Sequence, residues 1–202
     1  MKVAAAVAFA VAGLAGAALA VVVGPELLVV GALSMLAGWA YTGGPRPYGY
    51  LGLGEVFVFV FFGLVATMGS AYVQTESIDG LAGSAAVPVG LLAVALLVVN
   101  NLRDIPGDTR AEKNTLAVRL GDGRTRQFYV ALFVMTGVMI GVCALWRPSA
   151  LLGLVGLAAA VPPVRSVLGG TTGPGLIPVL GMTGRAQLFT GGLLAIGLAV
   201  GG

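Results

Sequence analysis

The chain has 202 residues, 58% hydrophobic and only 9% charged, with a mean hydropathy of +1.01, where a soluble domain carries about 25% charged residues; this is the composition of an integral membrane protein. The absence of histidine excludes His-based acid–base or metal chemistry, and a single cysteine excludes an internal disulfide. A formal charge of +3 says less about partners than the placement of the bases does, and no nucleic-acid partner is expected.

Runs of about 17 to 25 apolar residues are long enough to cross the hydrocarbon core as helices, and seven are read, at residues 3–23, 27–42, 55–74, 81–100, 127–146, 149–168 and 186–202. The expected fold is therefore all-α, a single multi-pass bundle in a lipid bilayer. In the first run, Met1-Lys2 and the AALA at 17–20 fit a cleaved signal peptide. Against this, Ala4, Ala8, Ala12, Gly16 and Ala20 form a small-residue stripe that asks for a closely packed partner helix. Glu26, Glu76 and Asp79 fall in short turns on one side. Trp39, Tyr41, Tyr72 and Trp146 fall near span ends, where aromatic rings anchor at the interface. In the fifth run, Gly137 and Gly141 make a second small-residue contact pair. Cys143, in VMIGVCALW, reads as a buried, inert thiol.

Numbering the sides alternately puts every Lys and Arg except Arg147 on one side, which by the positive-inside rule is cytoplasmic and holds the N-terminus. The expected location is the cell membrane. Three loops face that side: residues 42–54, 101–126 and 169–185. The second is the unusual one. In NNLRDIPGDTRAEKNTLAVRLG, residues 100–121, three acids and four of the bases gather in an otherwise apolar chain. Asn100, Asp104 and Asp108 recur at i, i+4 and i+8, one face of a helix. Pro106 and Gly107 interrupt that helix, so Asp108 is placed either on the same face or just past a break. Their hard oxygens suit Mg2+, which takes one or two protein carboxylates and completes its shell with phosphate and water. Arg103, Arg110, Lys113 and Arg119 could neutralise phosphate. An ordinary solvated loop is the alternative, but acids do not serve orientation and are costly at the end of an apolar helix, which favours function.

This stretch resembles the second aspartate-rich motif of the UbiA superfamily of intramembrane prenyltransferases, and within it the 1,4-dihydroxy-2-naphthoate polyprenyltransferases of menaquinone biosynthesis. YTGGPRPYGYLGLGEVFVFVFFG at 41–63, GSAYVQT at 69–75 and GLIPVLGMTGRAQL at 175–188 agree with it. The resemblance implies metal-dependent transfer of a polyprenyl group from its diphosphate to 1,4-dihydroxy-2-naphthoate, with loss of carbon dioxide, giving demethylmenaquinone. It implies that Asp104 and Asp108 carry a metal cluster with Asn100 and Asn101 beside them, and that Arg103, Lys113 and Arg119 hold diphosphate. Tyr41, Arg46 and Tyr48 resemble the family's Tyr-and-basic loop, with an interfacial anchor as the other reading of Tyr48. Two departures are evident. Members of the family have nine helices and a first aspartate-rich motif, which this chain does not supply; an internal start, and inactivity of this chain alone, are the expectations. Glu112 stands where glycine is the commoner residue. A 4-hydroxybenzoate or haem prenyltransferase is the runner-up, opposed by YTGGPRPYGYLGLG and TLAVRLG. A small transporter is a further alternative, opposed by the placement of every charge at a span end.

Overall fold

In the computed structural model, which describes residues 2–43 and 47–201, seven helical rods follow one another and no strand occurs among the described residues. They are α1 (Lys2–Val22), α2 (Glu26–Thr42), α3 (Gly54–Thr75), α4 (Gly80–Arg110), α5 (Leu116–Ala144), α6 (Pro148–Leu168) and α7 (Leu176–Val200). Five of them, α1, α3, α4, α5 and α6, are long and apolar enough to cross a membrane, and α2 is a shorter apolar helix. The all-α fold with seven rods is the one read from the sequence.

Several boundaries differ. Hydropathy ended the fourth span at residue 100 and the last loop at residue 185, but hydropathy marks the lipid slab and not the helix. Backbone bonding carries α4 on to Arg110, whose charge suits the negative end of the helix dipole. Pro106 and Gly107 do not break it: the helix runs through both, forgoing the single bond that proline cannot donate. After a short turn, Thr115 caps α5 by accepting from the Val118 amide. The 101–126 loop is thus mostly two helix ends, with a kink at Gly121 where the backbone leaves helical geometry (φ 75°). Likewise α7 begins at Leu176, Pro178 lying in the first turn where no amide bond is needed. Arg185 is therefore inside α7, not in a loop.

The core lies where α4 meets α5, α6 and α7: Leu92, Val99, Tyr129, Val167, Leu176 and Val179 are all buried. Tyr129 and Thr183 share a hydrogen bond of 2.6 Å inside it. Cys143 is fully buried, as expected. Gly137 packs beneath Leu157 of α6, while Gly141 faces open space. α3 crosses α4 so closely that a Cβ on Gly63 would lie 2.5 Å from the Gly90 Cα, a contact only two glycines allow. Around that crossing α3 is π-wound, over Phe59–Val65, the widened form that recurs at functional sites. α1 packs on α2, Phe9 over Gly38 and Met35 over Gly13; of the small-residue stripe only Ala20 is buried, Ala4, Ala8 and Ala12 being exposed.

Near the N-terminal end of α5, Arg126 is buried, forms a two-pronged pair with Asp122 and donates to the carbonyls of Val167 at the end of α6 and Thr171 just beyond it. At the opposite end of the bundle, Arg147 donates to the Leu198 carbonyl at 3.1 Å and Tyr72 donates to Glu26. Cationic groups thus cover the last carbonyls of α6 and α7, which have no partner within their own helices.

Candidate active site

Where α4 ends, its polar face meets the end of α2, the 3-10 turn Tyr48–Leu51 and the start of α5. They enclose a polar cavity of about 190 Å³ lined by Asn100, Asn101, Asp104 and Asp108 of α4, Lys113 and Thr115 of the following turn, and Tyr41, Gly49 and Tyr50. Because α4 is unbroken, Asn100, Asp104 and Asp108 share one face, the first of the two arrangements the spacing allowed. At roughly 30 Å³ per water, the space is that of a small polyanion with a few waters.

The cavity is internally paired. Arg103 holds Asp104 through two bonds, Nε to Oδ1 at 2.7 Å and Nη2 to Oδ2 at 2.8 Å, and Asn100 Nδ2 approaches Asp104 Oδ2 at 3.4 Å. Lys113 lies 3.4 Å from Asp108 and 4.7 Å from the centre of the Tyr50 ring, combining an ion pair with a cation–π contact. The turn is pinned by its backbone: the Lys113 amide donates to the Asp108 carbonyl at 2.9 Å and the Asn114 amide to the Tyr50 carbonyl at 3.0 Å. Gly52, at φ 71°, passes beneath Arg119 and Asn114, where a Cβ would meet the Asn114 carbonyl at 3.0 Å.

Six of the residues named from sequence, Asn100, Asn101, Asp104, Asp108, Lys113 and Tyr41, line this cavity together. Arg103 reaches it through Asp104. Arg119 does not line it; its Nε donates to the Asn114 carbonyl at 3.1 Å and braces the turn. Tyr48 points away: its hydroxyl donates to the Ala37 carbonyl at 2.8 Å and its ring stacks on Phe57 at 3.8 Å, and burial, followed by the neighbouring Tyr41, pushes its phenol above the usual range. Arg46 lies outside the described residues. Four residues the sequence reading passed over are also here. Tyr50 and Gly49 sit in the same YGYL turn, Thr115 is the α5 cap, and Glu55, 5% exposed, accepts from Asn101 Nδ2 at 3.0 Å. The rule that singled out Asp104, an acid at the end of an apolar run, applies equally to Glu55 at the start of one.

Two apolar clefts continue from the cavity. One, of about 520 Å³, shares Tyr41 with it and runs past Ala37, Phe57 and Phe61. The other, of about 430 Å³, shares Asn100 and runs between Leu97 of α4 and Leu180 and Gln187 of α7. Both touch Val58 and Phe62, at and beside the π-wound part of α3. The polar chamber thus adjoins two apolar clefts, each sharing one wall residue with it.

The donors around the cavity are oxygens throughout, two carboxylates and two amides. No group of three acidic, His or Cys side chains able to cage a metal occurs among the described residues. Such a set fits a hard cation held jointly by one or two carboxylates and a phosphate ligand, which is how magnesium is usually bound.

A membrane-embedded helical bundle carrying this head group is matched over residues 2–172 by the model of the UbiA prenyltransferase family, and the chain belongs to that family. Among curated relatives, the 1,4-dihydroxy-2-naphthoate octaprenyltransferases of Mycobacterium tuberculosis and Mycobacterium leprae are 47% and 48% identical over 95% and 92% of this chain. The Escherichia coli protein of the same name is 38% identical over 85% of it. The chain spans 66%, 63% and 56% of the length of these three relatives. No solved structure matches it.

Proposed function

We propose that this chain carries the diphosphate site of an enzyme that transfers a polyprenyl group from polyprenyl diphosphate to 1,4-dihydroxy-2-naphthoate, with release of diphosphate and carbon dioxide, giving demethylmenaquinol, the reduced form of demethylmenaquinone. The observation that carries the reading is the convergence of Asn100, Asn101, Asp104, Asp108 and Lys113 on one chamber that opens into apolar clefts. Its relatives at 47% and 48% identity bear the name of that activity.

In this reading Asp104 and Asp108 hold Mg2+, with Asn100 and Asn101 as further oxygen donors. Magnesium, when bound, supplies positive charge that makes diphosphate a better leaving group. Lys113 and Arg103, each now paired with a carboxylate, would be the side chains to hold phosphate oxygens if those carboxylates were neutralised by a cation. As the allylic C–O bond breaks, its electron pair leaves with the diphosphate, so the charge grows where these two side chains lie. The electron-rich ring then forms the new C–C bond at the carbon bearing the carboxylate, which departs as carbon dioxide. The clefts beside Phe57, Phe61 and Phe62 take the isoprenoid and keep water from the allylic carbon. The positive-inside distribution of Lys and Arg supports a chamber that faces the cytoplasm.

The test is transfer itself. The protein in proteoliposomes, with magnesium and a polyprenyl diphosphate, is offered 1,4-dihydroxy-2-naphthoate or 4-hydroxybenzoate, and lipid products are read by mass spectrometry. The expected product is demethylmenaquinol, or the quinone that air oxidation makes of it, from the naphthoate alone. Preference for 4-hydroxybenzoate overturns the acceptor, and diphosphate release indifferent to magnesium overturns the metal.

A further inference from the structure

Glu55 has no part in the reaction as described, yet it is the most buried acid beside the chamber. It stands in the first turn of α3, is 5% exposed, and accepts from Asn101 Nδ2 at 3.0 Å. Among the described residues it forms no ion pair, whereas the other three paired acids, Asp104, Asp108 and Asp122, each have a Lys or Arg within 4.0 Å. A buried acid without a cation is destabilising, so its retention calls for a compensating use.

The bond to Asn101 supplies one. An amide side chain can present either its oxygen or its NH2 group to a given neighbour, and only the hydrogen-bond network decides which. An ionised carboxylate accepts and cannot donate. Facing Glu55, Asn101 must therefore turn its NH2 group toward α3, which leaves its Oδ1 for the chamber wall that Asn101 helps to form. A hard cation binds that oxygen and is repelled by the NH2 group.

We propose that Glu55 is a positioning residue that locks the Asn101 amide with its carbonyl oxygen toward the cation. This rests on the reading of the chamber as a cation–diphosphate site. Glutamine at 55 has the same shape and can still bond Asn101, but its amide can accept or donate with equal ease, so it no longer holds Asn101 in one orientation. The tie between α3 and α4 survives this substitution, and the enforced orientation of the Asn101 oxygen toward the cation does not. A purely structural role for Glu55 is therefore separable from the proposed one.

The experiment uses Mn2+, a paramagnetic stand-in, titrated with inorganic pyrophosphate into the protein in nanodiscs and followed by electron paramagnetic resonance, alongside the thermal midpoint of each sample. Glu55→Gln is expected to keep its midpoint and to bind Mn2+ about tenfold more weakly, the usual scale for losing an outer partner of a ligand. The exchange Glu55→Gln with Asn101→Asp rebuilds the acid–amide pair with the donor now on α3 and the acceptor on α4, which keeps an oxygen toward the chamber, and is expected to recover most of the affinity; should Glu55→Gln alone fail to fold, this pair carries the test. Mn2+ affinity unchanged in Glu55→Gln, or no binding by the folded exchange variant, overturns the role of Glu55 while leaving the chamber assignment standing. Absence of pyrophosphate-dependent Mn2+ binding in the unsubstituted protein, or binding unaffected by Asp104→Asn, overturns the chamber assignment and this inference with it.

Discussion

Gly63→Ala tests whether the α3–α4 crossing sets the geometry of the chamber. The added Cβ would lie 2.5 Å from the Gly90 Cα, a backbone atom that cannot rotate away. Non-bonded carbons rest about 3.5 to 4.0 Å apart, so the two helices must part by about 1 Å. Overpacking of this kind costs about 1–3 kcal/mol, partly offset by the roughly 0.5–1 kcal/mol by which alanine is better than glycine inside a helix. A net loss of about 1–2 kcal/mol corresponds to a thermal midpoint roughly 2–8 °C lower for a chain of this size. The Glu55–Asn101 bond, 3.0 Å long, spans the same pair of helices, so a 1 Å parting carries it beyond hydrogen-bond range and should weaken diphosphate binding too. Gly69→Ala is the control: it lies on the same helix, and its Cβ would meet nothing within 4 Å, so it should be neutral or up to about 1 kcal/mol stabilising. Thermal unfolding in detergent, followed by size-exclusion fluorescence, reads both. A midpoint for Gly63→Ala at or above that of Gly69→Ala would refute the reasoning.

Glu112 adopts a left-handed backbone (φ 55°), and Glu112→Gly should relieve about 1 kcal/mol of strain, visible as a higher thermal midpoint with diphosphate affinity unchanged. Arg126→Met leaves the Thr171 carbonyl without its Arg126 donor and the Val167 carbonyl with only the Gly170 amide, at 3.3 Å; a loss of about 1–3 kcal/mol is expected, again read by thermal unfolding, with no change in diphosphate affinity because Arg126 does not line the chamber. Lys113→Ala should weaken prenyl diphosphate binding about tenfold, or about 1.4 kcal/mol, in a calorimetric titration. Arg119→Ala should weaken it less, since Arg119 braces the turn without reaching the chamber.

The seven rods were legible because lipid demands long apolar helices whatever their packing. Their ends were not, because charge marks where a helix leaves lipid and says nothing about where its hydrogen bonds stop; α4 to Arg110 and α7 from Leu176 are the two instances. The spacing of Asn100, Asp104 and Asp108 described a real face once the helix proved continuous. Which bases serve that face could not be read, since Lys113 and Arg119 are alike in sequence and only the turn pinned by Tyr50 and Asn114 separates them. Tyr48 and Tyr50 illustrate the same limit: two tyrosines in one short turn point to different places. Glu55 was missed because it was absorbed into an apolar run, and its partner Asn101 is distant in sequence.

The most direct measurement is the binding of farnesyl diphosphate to the protein in nanodiscs by calorimetry, with and without magnesium, for the unsubstituted chain and for Asp108→Asn. Binding that requires magnesium and falls at least tenfold in Asp108→Asn is the expected result. Equal binding without magnesium, or in the variant, would contradict the assignment of this chamber to a cation and a diphosphate.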